Sequence, residues 1–200
     1  MPMSIEKRYT ADEFYKLDIT EPCELINGKI VNMSPSPSIR HQRISGRLST
    51  YIRNYIGKNK GKCEVFEAPT DVKLNDDTIV IPDLFVACNP DNFDEQKYNG
   101  APDWIIEIAS PNNSERDYKD KLLLYKSACV KEYWIIDPTN EKILVYLFGQ
   151  PNVTEFYTFN DTITVGLYKD SKEPLTICIN ELIWRFNKSQ KNTKGAVAAP

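Results

Sequence analysis

Two acidic residues interrupt runs of apolar residues that otherwise read as core strands: Glu107 within "WIIEIASP" and Asp83 within "TIVIPDLFVAC". An ionised carboxylate buried without partners costs several kcal/mol, so such a residue is paired, protonated or bound to a metal. Two acids brought together repel, and a divalent cation between them relieves the repulsion. Hard oxygen donors of this kind suit Mg²⁺ or Mn²⁺. Each acid alone has a plainer reading, with Asp83 capping a turn after Pro82 and Glu107 salt-bridged to a lysine. The pair favours a site.

Two further polar residues fall on helix faces where apolar residues belong. With Asp117 as origin, Lys121 lies at about 40°, between Ala128 at about 20° and Tyr125 at about 80°. Lys119 and Lys126 fall near 200° and 180°, so Lys121 is the lysine aimed inward. A Ser114 to Asp117 capping box followed by an Asp117/Lys121 pair accounts for part of this pattern. It does not explain a charged amine on the core-facing side. His41, the one histidine, falls at about 100° from Arg40, amid Ile44, Leu48, Ile52 and Tyr55. Lining a site and serving as a satisfied core residue are comparable readings for it.

These residues need elements to hold them. "YTADEFYKL" reads as a short helix capped by Thr10, and "CELINGKIVNM" as a hairpin turning at Asn27-Gly28. "SPSPS" stops that strand before a helix over 39–56. Strands follow over 64–74 (interrupted at Pro69), 78–87 and 104–109, then a helix over 115–128 capped by Ser114. "EYWIID" and "KILVYLF" are strands joined over Pro138-Thr139-Asn140. A strand pair near Phe156 and Ile163 and a segment through Trp184 close the chain. Hairpins at both ends and helices packed on a central sheet predict an α/β (α+β) arrangement of three layers.

The 200 residues, 41% hydrophobic, suit one domain over 1–187, with a polar, disordered tail over 188–200. No apolar run approaches the ~20 residues of a membrane span, and "MPMSIEKRYT" lacks a signal-peptide core, so a cytoplasmic protein without membrane partners is expected. The five cysteines form no C-x-x-C pair. They read as buried free thiols rather than as a zinc site or disulfide framework. Net charge is −3, yet the stretch from Ser38 to Lys62 holds seven basic residues and no acidic one. Arg40, Arg43 and Arg47 share one face there, fit either to dock phosphates or to be a solvated surface.

"PD" in one strand and "ExA" in another resemble the PD-(D/E)XK nuclease superfamily, whose last motif position is lysine; here it is Ala109. "ELINGKIVNMSPSPSIRHQRI", "APTDVKL", "TIVIPDLFV", "PDWIIEIASPNNSERDYKDKLLLY" and "EYWIIDP", taken in order, resemble one branch of it, the Uma family of restriction-endonuclease-like proteins. The resemblance implies a restriction-endonuclease-like mixed central sheet flanked by helices, with antiparallel hairpins at its edges. It implies Asp83 and Glu107 as metal ligands, Lys121 as a catalytic lysine moved onto the helix, and Glu24 and His41 as further active-site residues. Asp117 and Tyr125 match the family's helix pattern as supporting residues. Cys129 departs from it, since the family has glycine there, at a helix end.

The expected activity is that of a Mg²⁺- or Mn²⁺-dependent endonuclease hydrolysing DNA, with Arg40, Arg43 and Arg47 on flanking phosphates. A homodimer would suit cutting both strands of a duplex. The alternative keeps the fold without cleavage, as a vestigial module binding nucleic acid or protein. A dinucleotide fold is disfavoured, because no G-x-G-x-x-G follows a strand. Triad chemistry lacks a nucleophile motif.

Overall fold

The computed structural model describes residues 7–33, 36–110, 115–149 and 151–183, with the side chains of 115–117 outside that description. In chain order the elements are α1 (Ala11–Phe14), β1 (Cys23–Ile26), β2 (Lys29–Asn32), α2 (Ile39–Lys58), β3 (Glu64–Glu67), β4 (Asp71–Asn75), β5 (Thr78–Val80) and β6 (Leu84–Ala87). After them come β7 (Lys97–Asn99), β8 (Trp104–Ile108), α3 (Glu115–Ser127), β9 (Glu132–Asp137), β10 (Lys142–Leu147), β11 (Val153–Thr158), β12 (Ile163–Thr164) and β13 (Thr176–Ile177). Among the described residues no helix is long and apolar enough to cross a membrane.

The central sheet has six strands in the order β11-β10-β9-β8-β6-β3. Its one parallel pair, β8 with β9, is joined by α3, as a parallel connection requires a crossover. Alternation along β8 sorts its side chains. Trp104, Ile106 and Ile108 join Ile44, Leu48, Ile52 and Ile56 of α2 on one face. Ile105 joins Leu124 and Tyr125 of α3 on the other. A second sheet of five strands, β2-β1-β5-β4-β7, carries the amino-terminal hairpin. Asn27 and Gly28 both have positive φ, 50° and 77°, as a two-residue hairpin turn requires. Thr10 caps α1 in a reciprocal box with Glu13.

The strand expected over 78–87 is two strands in different sheets. Thr78–Val80 pairs with β1 and β4, whereas Leu84–Ala87 pairs with β3 and β8. Pro82 has no N–H to continue a ladder, and the chain changes sheets there. Continuous hydrophobicity concealed the break. The pair expected between the segments near Phe156 and Ile163 is also replaced: β11 pairs with β10, and β12 with β13. The carboxy-terminal strands cover the α2 side of the core through Phe159, Ile163, Leu175 and Ile177.

The cysteines correct another expectation. Cys63 and Cys88, which flank the paired ends of β3 and β6, form a disulfide. Cys129 is exposed, and of the free thiols only Cys23 is buried. Cys129 adopts φ 67° where α3 ends, with Val130 N–H donating to Tyr125 O. A side chain in this left-handed conformation is strained, and glycine is not. Cys129→Gly should therefore stabilise the fold by about 1 kcal/mol, seen as a higher urea midpoint at unchanged slope.

Glu132, at the start of β9, is a buried acid that the sequence patterns did not single out. Its carboxylate accepts from Trp134 Nε1 (2.7 Å), Gly166 N (3.1 Å) and Leu167 N (2.8 Å), tying the carboxy-terminal segment to the central sheet. Burial nevertheless holds its pKa above the ordinary carboxylate range. Glu132→Ala leaves these donors without acceptors and should cost about 4 kcal/mol in denaturant unfolding, with Glu132→Gln losing less.

Candidate active site

The site forms where the two sheets meet under α3. Alternation along β1 places Cys23 and Leu25 against α1, and Glu24 on the opposite face. Glu107 projects from β8 on the α3 side. Lys121 reaches down from α3, its Nζ lying 2.9 Å from Glu107 Oε1 and 3.2 Å from Glu24 Oε1. Tyr125, one turn on, donates its hydroxyl to the same Glu107 oxygen at 2.7 Å. Glu24 Oε1 also accepts from Ile81 N at 2.9 Å, in the segment between β5 and β6.

Asp83, next after Pro82, is fixed from two sides. Its Oδ2 accepts from Ile108 N at 2.7 Å, at the end of β8, and lies 3.1 Å from His41 Nε2. His41 reaches it from the first turn of α2, whose N-cap Ser38 accepts from His41 N–H. The break that ends β5 is therefore what brings Asp83 to Glu107.

Burial raises the pKa of Glu107, the Lys121 ammonium opposes that shift, and Asp83 and Glu24 add to it. Burial works against a charge on Lys121, but Glu107 and Glu24 outweigh it and hold the amine well above its ordinary value. His41 is raised likewise, because the bond and charge of Asp83 outweigh its desolvation. Desolvation, then Glu107, pushes the Tyr125 phenol well up, keeping it a neutral donor. The centre is an ammonium among carboxylates, bounded by a phenol and an imidazole.

Among the described residues, no three His, Cys, Asp or Glu side chains group so as to hold a metal by themselves. Asp83 Oδ1, Glu107 Oε2 and Glu24 Oε2 nonetheless accept no hydrogen bond among those residues. Mg²⁺ commonly takes one or two carboxylates and completes its shell with water and substrate phosphate. The donor set fits that pattern.

The basic residues of α2 are more engaged than their pattern suggests. Arg40 pairs with Glu141 at 2.7 Å, and Arg47 donates to the carbonyls of Leu182 and Ile183. Arg43 is exposed. The Asp117 side chain, the Ser114 cap and the tail over 188–200 lie outside the described residues.

A family model described as "Putative restriction endonuclease", Uma2, matches residues 11–168. The chain belongs to the Uma2 family. Among solved structures it resembles a protein described as "a putative nuclease belonging to DUF820" from Anabaena variabilis, at 27% identity and a TM-score of 0.71. The match covers 87% of this chain and 97% of that one. No curated protein matches. The mixed sheet flanked by helices is thus the restriction-endonuclease-like architecture, and membership of Uma2 supports a nuclease function in general terms. Glu24, His41, Asp83, Glu107, Lys121 and Tyr125 all lie in the span that the Uma2 model matches.

Lys121→Met tests the electrostatics of the cluster without reference to turnover. Removing one partner of a buried ion pair costs about 3 kcal/mol, so the metal-free variant should lose about that much at pH 8. The folded pKa of Glu107 is already raised and rises further without the ammonium. The loss should therefore shrink as pH falls through the raised pKa, where folded Glu107 takes up a proton, and level off near the ordinary value of 4.5, where the unfolded chain does the same. Urea unfolding at pH 8 and pH 5 measures both.

Proposed function

We propose that this protein is a divalent-metal-dependent endonuclease that hydrolyses DNA phosphodiester bonds. The observation that carries this reading is the Lys121 ammonium, set between Glu107 and Glu24. The lysine absent at position 109 is supplied from α3.

Asp83 and Glu107 would hold Mg²⁺ or Mn²⁺, with Glu24 contributing through water. The chemistry that ion supplies when bound is polarisation of the scissile phosphate and activation of a water nucleophile. Lys121 orients the attacking water and offsets negative charge as the pentacovalent phosphorus forms. Tyr125 and His41 position the cluster by fixing Glu107 and Asp83. Arg43, with Arg40 once released from Glu141, would contact flanking phosphates, so binding weakens with salt.

The test is conversion of supercoiled plasmid with Mg²⁺, Mn²⁺ or EDTA. The unaltered protein should nick in metal and not in EDTA, and Asp83→Ala and Lys121→Ala should each lower the rate at least about 100-fold. Equal rates for Lys121→Ala and the unaltered protein would remove the lysine from the mechanism.

A second reading, a vestigial binding module, draws on the same ammonium, since Lys121 already compensates Glu24 and Glu107 without an ion. Calorimetry separates the two. Heat of Mg²⁺ or Mn²⁺ binding that disappears in Asp83→Ala supports the enzyme, and no heat supports the module.

A further inference from the structure

Beside the acidic cluster lies a cleft of about 570 Å³ to which the mechanism assigns no role. Its floor is Ile135 and Leu144, its wall Tyr146, its roof Leu122, and its rim Thr139 and Asn140. Sheet register locates it. Glu107 pairs with Ile135, and Ile135 with Leu144, so these residues form one row across β8, β9 and β10. Ile135 and Leu144 lie with Tyr125 on the α3 side of the sheet. At about 4.8 Å per strand the cleft begins one strand from Glu107 and reaches about 10 Å from it. The base of a nucleotide stands off from its phosphate by a distance of that order.

We propose that this cleft seats one unstacked base of the substrate strand, next to the scissile phosphate. The inference rests on the nuclease reading and adds the substrate class: single-stranded, looped or locally distorted nucleic acid. Tyr146 is held in a stack between Tyr133 (5.9 Å, 19°) and Phe148 (6.2 Å, 16°), which leaves a braced aromatic at the wall. Ile135 and Leu144 offer an apolar surface to a base face. At the rim, Asp137 accepts from the amides of Thr139 and Asn140 and from the Asn140 side chain, fixing the turn. The Asn140 carbonyl oxygen and the Thr139 hydroxyl there suit the donors and acceptors of a base edge. An apolar slot with few polar rim groups is how proteins take an extruded base. A base held in a duplex stack cannot enter.

The experiment walks an abasic residue along a single-stranded oligonucleotide and maps cuts in Mn²⁺. In parallel, 2-aminopurine at the same positions reports unstacking on binding in EDTA. For the unaltered protein, cleavage at the bond beside the abasic residue should fall about 10- to 100-fold, and bound 2-aminopurine should change its emission. Leu144→Trp, which fills the slot, should lose a similar factor on the intact strand, show no further loss with the abasic residue, and leave 2-aminopurine unchanged. Should Leu144→Trp not fold, Asn140→Ala at the exposed rim should change the preference among the four bases at that position about tenfold. Cleavage indifferent to the abasic residue, a Leu144→Trp protein that behaves as the unaltered one, or an unchanged preference in Asn140→Ala would overturn the base slot. A 2-aminopurine response without cleavage in any metal would overturn the nuclease reading alone. Failure to bind the oligonucleotide would overturn both.

Discussion

Ionised carboxylates buried together need a compensating charge, and much of this fold follows from how that charge is delivered. Glu24 comes from the second sheet, Asp83 from the break between the sheets, Glu107 from the central sheet, and the ammonium from the crossover helix. Each element is held by the others through this cluster. Glu24 Oε1, shared between Ile81 N and Lys121 Nζ, clasps the five-stranded sheet to α3. Under the proposed reading, stability and chemistry draw on the same contacts, and a substitution that abolishes one will disturb the other.

Glu107 and Glu132 show why a buried acid alone does not identify a site. Both are buried on strands of the central sheet, Glu107 inside β8 and Glu132 at the start of β9, and burial raises the pKa of both. Glu132 is satisfied by an indole and backbone amides, neutral donors that fix one geometry and leave no charge to exploit. Glu107 faces an ammonium and two other acids, charged partners whose balance sets its protonation. The partners, not the burial, distinguish the two carboxylates, and they are why the proposed reading places chemistry at Glu107 and not at Glu132.

That distinction also explains what could be read from the chain. Asp83, Glu107, Lys121 and His41 break local periodicity, so each could be found without a fold. Glu24 could not, because a four-residue strand after a loop carries no pattern strong enough to mark one acid, and family resemblance alone suggested it. The hairpin, both long helices and the strands of β8, β9 and β10 follow from turn chemistry and periodicity. The sheet change at Pro82 was hidden because both halves of the segment are buried. Cys63 and Cys88 pair only because β3 and β6 align antiparallel, a fact of register rather than of spacing. The cleft was unreadable for the same reason, being assembled from two strands with the turn between them, the segment after β8, and a helix.

Under the proposed reading, the alanine at position 109 and the lysine on α3 belong to one arrangement. Ala109 lies two residues beyond Glu107 on the same extended segment, its N–H bonded to Ile136 O, so alternation turns both side chains to the α3 side. Ala109 also lines the cleft. A lysine at that position would put a flexible four-carbon chain into the cleft. From α3 the ammonium instead reaches Glu107 and Glu24 from the helix side, and the small residue at 109 adds no long side chain to the cleft it lines. Charge compensation delivered from the helix leaves the sheet surface beside Glu107 to the cleft.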